Sequence, residues 1–364
     1  MKRYIAVCLT LLPLAHVAAQ PGLVLRYDRP AEVWTEAIPI GNGRLGAMVF
    51  GGAENEQLQL NEATLWSGGP VKKNINPDAF RYLAPSRAAL TRGDFAQAKE
   101  LLKNMQGAYT ESYLPLADVL IKQQLPQHEV ADYERTLNLS DAIATTQFSV
   151  NGTHYRREVF ASAPANIIVM HFNADRKRQL SLQIGARSSL HFATLYSDGR
   201  LILQGKAPAH VDPSYFNVNA EPIVYDDPSH CKGMRFEMIV KPIVTDGVIS
   251  YSDGYIAIKD ASEVVLLISA ATSFNGFDHC PDSQGKNQHE ISASYINKAS
   301  RHSVEQLRNA HVLDYRRYFD RVNLMLNPDE DDHSSLTTTQ RLDNYTRGAT
   351  DSALEALYFQ YGRY

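Results

Sequence analysis

Two short segments near the amino terminus concentrate side chains able to hold a polar ligand. Trp34-Thr-Glu-Ala-Ile-Pro-Ile-Gly-Asn-Gly-Arg-Leu-Gly46 sets Asn42 and Arg44 among glycines whose missing Cβ opens backbone shapes closed to other residues. Leu60-Asn-Glu-Ala-Thr-Leu-Trp-Ser-Gly-Gly-Pro70 gathers Asn61, Glu62, Thr64, Trp66 and Ser67 beside a strand end. An indole next to amide, carboxylate and hydroxyl groups suits a sugar. The aromatic face covers the apolar face of a pyranose, and the polar groups satisfy its hydroxyls. The same side chains could instead cap the backbone of their own tight loop, and the pattern leaves both readings open. The glycine-rich segment is not a phosphate loop, because the lysine-serine or lysine-threonine ending is missing.

Two further loops carry similar chemistry. Gly205-Lys-Ala-Pro-Ala-His-Val-Asp-Pro-Ser-Tyr215 is restrained by prolines and presents His210, Asp212 and Tyr215, although a lone histidine is more often structural. Phe274-Asn-Gly-Phe-Asp-His-Cys280 is the third. None supplies a serine–histidine–acid order with a nucleophile elbow, or a histidine spacing suited to a metal, so no metal or cofactor is called for. Two carboxylates flanking a glycosidic bond could do acid–base work, but 40 scattered acidic residues single out no such pair.

The balance of 36 basic against 40 acidic residues, mixed in sign along the chain, argues against nucleic acid as a partner. Phosphate neutralisation needs a concentrated basic face. The densest basic run, Arg176-Lys-Arg178, suits a solvated turn equally well. At the amino terminus, Met1-Lys-Arg3, the apolar run from Tyr4 to Ala19 and the small residues Val17-Ala-Ala19 form the regions of a signal peptide, residues 1–19, cleaved after Ala19. The run is shorter than the roughly 20 residues of a membrane span, and Cys8 lies too deep within it for a lipoprotein. The mature chain is therefore expected to be secreted or periplasmic. Cys231 and Cys280 survive export and could form one disulfide; sequence does not say whether their backbones come close enough.

The elements that would position these loops are mostly strands. Short apolar or alternating runs begin at Leu23, Arg44, Gln57, Thr145, Thr153, Ile167, Gln179, Leu201, Met234, Gly247, Tyr255 and Glu263, and Asn151-Gly152 makes a primed hairpin turn. So many strands on hairpin-length links, with few helices between them, predict a mainly β fold of two packed antiparallel sheets over residues 22–285. One helical interruption, Ala88 to Met105, would break at Gly93 if it forms two short helices. A helical linker is expected over 286–335, where Ser303 to Phe319 is amphipathic. In the last segment, 336–364, Leu354, Leu357, Tyr358 and Tyr361 form an apolar stripe with nothing after it to cover it, which suggests a helix opening a further domain.

The two amino-terminal segments, with Tyr113-Leu-Pro-Leu-Ala-Asp118, Gly205-Lys-Ala-Pro-Ala-His210 and Cys231-Lys-Gly-Met-Arg-Phe-Glu237, together resemble the N-terminal part of glycoside hydrolase family 95, the alpha-L-fucosidase family. The likeness runs in order through nearly all of the expected mature chain. It implies a super-sandwich, a helical linker and the first helix of an (alpha/alpha)6 catalytic barrel. It also implies inverting hydrolysis of terminal alpha-1,2-linked L-fucose from a fucosylated oligosaccharide or a plant or host glycan, with L-galactosides as the alternative substrate. The general acid would be a barrel glutamate, and a Pro-Ala-Asn-Leu-Gln-Gly motif with an aspartate would hold the water. That motif occurs nowhere in these 364 residues, so the catalytic domain is expected to continue past Tyr364. No catalytic residue is then assigned here; Asn42, Arg44, Asn61, Glu62, Trp66 and His210 are the candidate substrate-binding residues. The competing reading of the segment alone is a non-catalytic carbohydrate-binding sandwich.

Overall fold

A computed structural model describes residues 23–71, 75–107, 109–127, 129–215, 220–226, 231–252, 254–326 and 333–364. The expected signal peptide lies outside the described residues. The architecture is the expected two-sheet antiparallel sandwich followed by helices. One sheet has nine strands in the spatial order Val24–Tyr27, Ala131–Asn138, Ile143–Val150, Thr153–Ser162, Ile167–Ala174, Glu263–Thr272, Arg235–Val244, Arg200–Lys206 and His191–Ser197. The other has seven: Val248–Ser252, Tyr255–Ala261, Leu180–Arg187, Ala117–Gln123, Asn55–Glu62, Leu45–Val49 and Ile38–Gly41.

Period-two burial fixes the inner face of the seven-stranded sheet. Leu58 and Leu60, Val119 and Ile121, and Leu182 and Ile184 point inward and are almost fully buried. The central strand Glu263–Thr272 differs, because every residue after Glu263 is buried. Its inner side faces the other sheet. Its outer side, through Val265 and Leu267, joins a second apolar cluster with Ile296, Ala299 and Leu307 of the following helices. A strand covered on both faces reads as a continuous apolar run, as this one does.

The helices are α1 (Leu83–Thr91), α2 (Phe95–Lys103), α3 (Gln288–Ala299), α4 (Val304–Phe319), α5 (Thr338–Thr346) and α6 (Ser352–Arg363). Between α1 and α2 the chain does break at Gly93, which takes φ +75° before Asp94 caps α2 through the Gln97 amide. The first of the pair starts earlier than expected, at Leu83. Pro85 is tolerated there because amide protons of a first turn have no intrahelical partner. Ser303 and Gln306 make a capping box for α4, and Thr337 and Gln340 repeat it for α5.

The terminal stripe is not left uncovered. Leu354 and Leu357 are buried in the main core, and Tyr361 and Tyr364 pack against it. The Tyr364 hydroxyl donates to the Pro39 carbonyl at 2.9 Å. Arg363 donates to the carbonyls of Phe319 and Val322, closing the end of α4. Tyr358 is the exception: it is 76% exposed, because the buried face of α6 includes Ala356 and Gln360 and turns away from it.

Candidate functional site

Both amino-terminal segments fall at one end of the sandwich, where strand Leu45–Val49 begins and strand Asn55–Glu62 ends, with Leu45 opposite Glu62. Asn42 shapes the connecting turn: its Oδ1 accepts from the amides of Arg44 and Leu45, and its Nδ2 donates to the Ser162 carbonyl. Arg44 reaches across to the nine-stranded sheet. Its guanidinium donates to the carbonyls of Ala270 (2.7 Å) and Asn166 (2.9 Å), lies 4.9 Å from the Tyr295 ring centre and pairs with Glu62 at 3.3 Å. Glu62 is only 3% exposed, and its second oxygen accepts from the amide and hydroxyl of Thr64. Thr64 in turn bonds Thr272 on the opposite sheet. Asn61 donates to the Leu114 carbonyl. Asn42, Arg44 and Glu62 thus spend their hydrogen-bonding groups on the protein, while the Asn61 bond is long, at 3.5 Å.

Trp66 and His210 are placed differently. Past the strand ends, residues 65–67 run antiparallel to 112–114, with Trp66 bridging Tyr113. The indole N–H donates to the Ala63 carbonyl at 3.1 Å, and the ring leans on Tyr113 at 5.3 Å, with 39% of Trp66 left exposed. His210, on the short strand His210–Val211, has a carboxylate at each ring nitrogen: Glu111 at 2.7 Å and Asp212 at 2.8 Å. Burial opposes its charge, but the hydrogen bonds to Asp212 and Glu111 outweigh it, so the imidazole pKa is held above the ordinary histidine value. Glu111 also accepts from the Ser67 hydroxyl and the Val211 amide, which ties the Trp66 loop to the His210 strand. Gly68 takes φ +84° over Glu111, where a Cβ would collide with the carboxylate stem.

The third loop closes the site. Residues 63–71 and 274–281 form the walls of a cleft of about 340 Å³ that includes Trp66, Thr64, Ser67, Phe274, Phe277 and His279. A disulfide joins Cys231 to Cys280, with Cα atoms 5.4 Å apart, and Gly69 packs against the Cys231 sulfur. Asp282 carries a third metal-capable group near that bridge, but bonded sulfurs are not free thiolate ligands, so the trio is no metal site in this form. Glu111, Phe274, Phe277 and His279 were not among the candidate residues from sequence. Glu111 is an isolated glutamate whose role depends on partners far along the chain. The Phe274–Cys280 loop was visible as polar and aromatic, and a possible Cys231–Cys280 bridge was the one signal linking it elsewhere.

Comparison with known proteins identifies the family. Residues 25–276 match the glycosyl hydrolase family 65 N-terminal domain, and residues 303–364 match the glycosyl hydrolase family 95 catalytic domain. The chain is 30% identical to alpha-L-fucosidase 2 of Arabidopsis thaliana, over 94% of its own length and 41% of that protein. It is 26% identical to probable alpha-fucosidase A of Aspergillus oryzae, over 98% of its own length and 48% of that protein. The corresponding protein of Aspergillus niger is 27% identical, over 91% and 40%. The chain thus spans less than half the length of these curated relatives.

Proposed function

Because the chain belongs to the family of glycosyl hydrolase family 65 N-terminal domains and continues into a stretch of the family 95 catalytic domain, we propose that it supplies the sandwich of an exported alpha-L-fucosidase. The substrate is a glycan with terminal alpha-1,2-linked L-fucose, cleaved with inversion. The observation that carries this reading is the 30% identity to a protein named alpha-L-fucosidase 2, over 94% of this chain.

Inversion needs an acid to protonate the leaving oxygen and a base, about 6.5–9.5 Å away, to activate water. In this reading both come from catalytic-domain sequence not contained in these residues, and the sandwich contributes binding and support. Asn42, Arg44, Asn61 and Glu62 brace the end of the sandwich, while Trp66 and His210 are the candidates that can face a glycan. Residues 22–285 then act as the sandwich domain, 286–335 as the linker and 336–364 as the entry to the barrel.

The test is turnover of 2'-fucosyllactose by the purified chain and by a protein extended through a complete family 95 catalytic domain. Release of L-fucose in the β configuration by the extended protein only is expected. Turnover by this chain alone would refute the placement of the catalytic groups. Hydrolysis of L-galactosides in preference to fucosides would refute the substrate.

A further inference from the structure

We propose that the cleft between residues 63–71 and 274–281 is a glycan-binding site in its own right, one that takes neutral pyranose rings of an oligosaccharide rather than its scissile fucosyl bond. It deepens the hydrolase reading by giving the sandwich a ligand that it can bind without the catalytic groups.

Three aromatic side chains converge on one hollow: Trp66, Phe274 and Phe277, 39%, 38% and 88% exposed. Its volume of about 340 Å³ lies near the lower end of the ~300–1,000 Å³ usual for small-molecule sites. Thr64 and Ser67 donate their hydroxyl hydrogens to Glu62 and Glu111, which leaves their oxygens to accept from a ligand, and the imidazole of His279 joins them with its Nδ1 on Asp278. No aspartate, glutamate, lysine or arginine is among the described residues lining it. An anion would meet no lysine or arginine among these lining residues, and the one carboxylate on the second wall, Asp278, is paired with His279. A sugar ring matches both features, with an apolar C–H face for the aromatics and hydroxyls for the polar groups.

The platform is also rigid. One wall is fixed by the Trp66 bond to Ala63 and its contact with Tyr113. The other is held by the Phe274 amide on Thr272, Asn275 on the Gln284 carbonyl and the Cys280 amide on Gln284. The disulfide anchors the second wall beside the Gly69 backbone of the first. A preformed wall loses little side-chain freedom on binding, and that preserves affinity for a weakly held neutral ligand.

Trp34 and Trp66 are the two tryptophans, so Trp34→Phe makes Trp66 the sole indole reporter. In that background the full chain is titrated with lactose, cellotetraose and 2'-fucosyllactose to millimolar concentrations. A saturable change in Trp66 emission is expected with at least one sugar, weakened by at least about fivefold in Phe277→Ala at unchanged melting temperature. Because Phe277 is 88% exposed, that variant retains the fold. No saturable change with any of the three, or a response that Phe277→Ala leaves intact, would overturn the proposal. Binding by this chain without fucoside turnover by the extended protein would keep the cleft and refute the hydrolase reading. Turnover without binding here would refute the cleft alone.

Discussion

Two histidines carry opposite pH dependence. His210 has its pKa raised by Asp212 and Glu111 despite partial burial, so its contribution to stability is complete below the ordinary value of about 6.5 and is lost as pH rises through the folded value. His311 is 4% exposed, stacked on Phe160, and its Nε2–H donates to the carbonyls of Asp141 and Ala142. Burial outweighs those bonds and lowers its pKa, so its contribution stands above about 6.5 and is lost as pH falls through the folded value. Melting temperature against pH should therefore show His210→Asn most damaging on the acid side. His311→Gln should lower stability at neutral pH and flatten the acid limb; parallel curves for wild type and both variants would refute the assignment. Glu62 belongs to the same scale. Glu62→Ala strips Arg44 and Thr64 of a buried acceptor and should cost about 1.5–3 kcal/mol in chemical denaturation. Weakened sugar binding in the cleft at full stability would instead make Glu62 a ligand contact.

Among the elements, the joint between α5 and α6 depends most on one pair. Arg341 and Asp351 form two parallel hydrogen bonds of 2.8 and 2.7 Å with both side chains under a tenth exposed, and Asp351 also caps α6 through the Leu354 amide. Arg341 and the Leu354 amide outweigh burial and keep the Asp351 carboxyl below the usual range. Asp351→Ala leaves a buried guanidinium unpaired and α6 uncapped, at an expected cost of about 3–5 kcal/mol. Asp351→Asn retains the cap and should cost less. Urea denaturation measures both, and equal losses would show that the charge, not the cap, holds the joint.

At the scale of the whole molecule, the two sheets are pinned by a buried charge pair as well as by apolar packing. Arg157 extends from the nine-stranded sheet between the rings of Phe148 and Phe172, 5.2 and 5.4 Å away. It donates to the carbonyls of Gly52 and Ala53, to Gln123 at 2.7 Å and to Glu56 at 3.4 Å, all on or beside the seven-stranded sheet. Removing either Arg157 or Glu56 strands the other charge and should cost about 3–5 kcal/mol, whereas Glu56→Met with Arg157→Leu should recover most of that loss. A double-mutant cycle measured by denaturation decides it; additive losses would mean that the two charges do not act as a pair.

The sequence alone carried the fold class, because strand alternation, the Asn151-Gly152 turn and the amphipathic run from Ser303 to Phe319 are local signals that tertiary contacts reinforced. It missed strand Ala131–Asn138, where charged residues hide the alternation: Arg135 turns inward and is buried by donating to the Arg29 and Glu36 carbonyls over the Tyr27 ring. It also missed the edge strand His191–Ser197, which is largely exposed and so has no buried face to mark it. Asn42, Arg44, Asn61 and Glu62 stood out by type, yet only the tertiary structure assigned their hydrogen bonds to the protein. Whether a polar side chain faces a ligand or a carbonyl depends on partners such as Asn166 and Ala270, more than 100 residues away in the chain. Strand periodicity is written within a few neighbouring residues. The Trp66 cleft exists only because folding brings two distant loops together, one of them tied by the Cys231–Cys280 bridge.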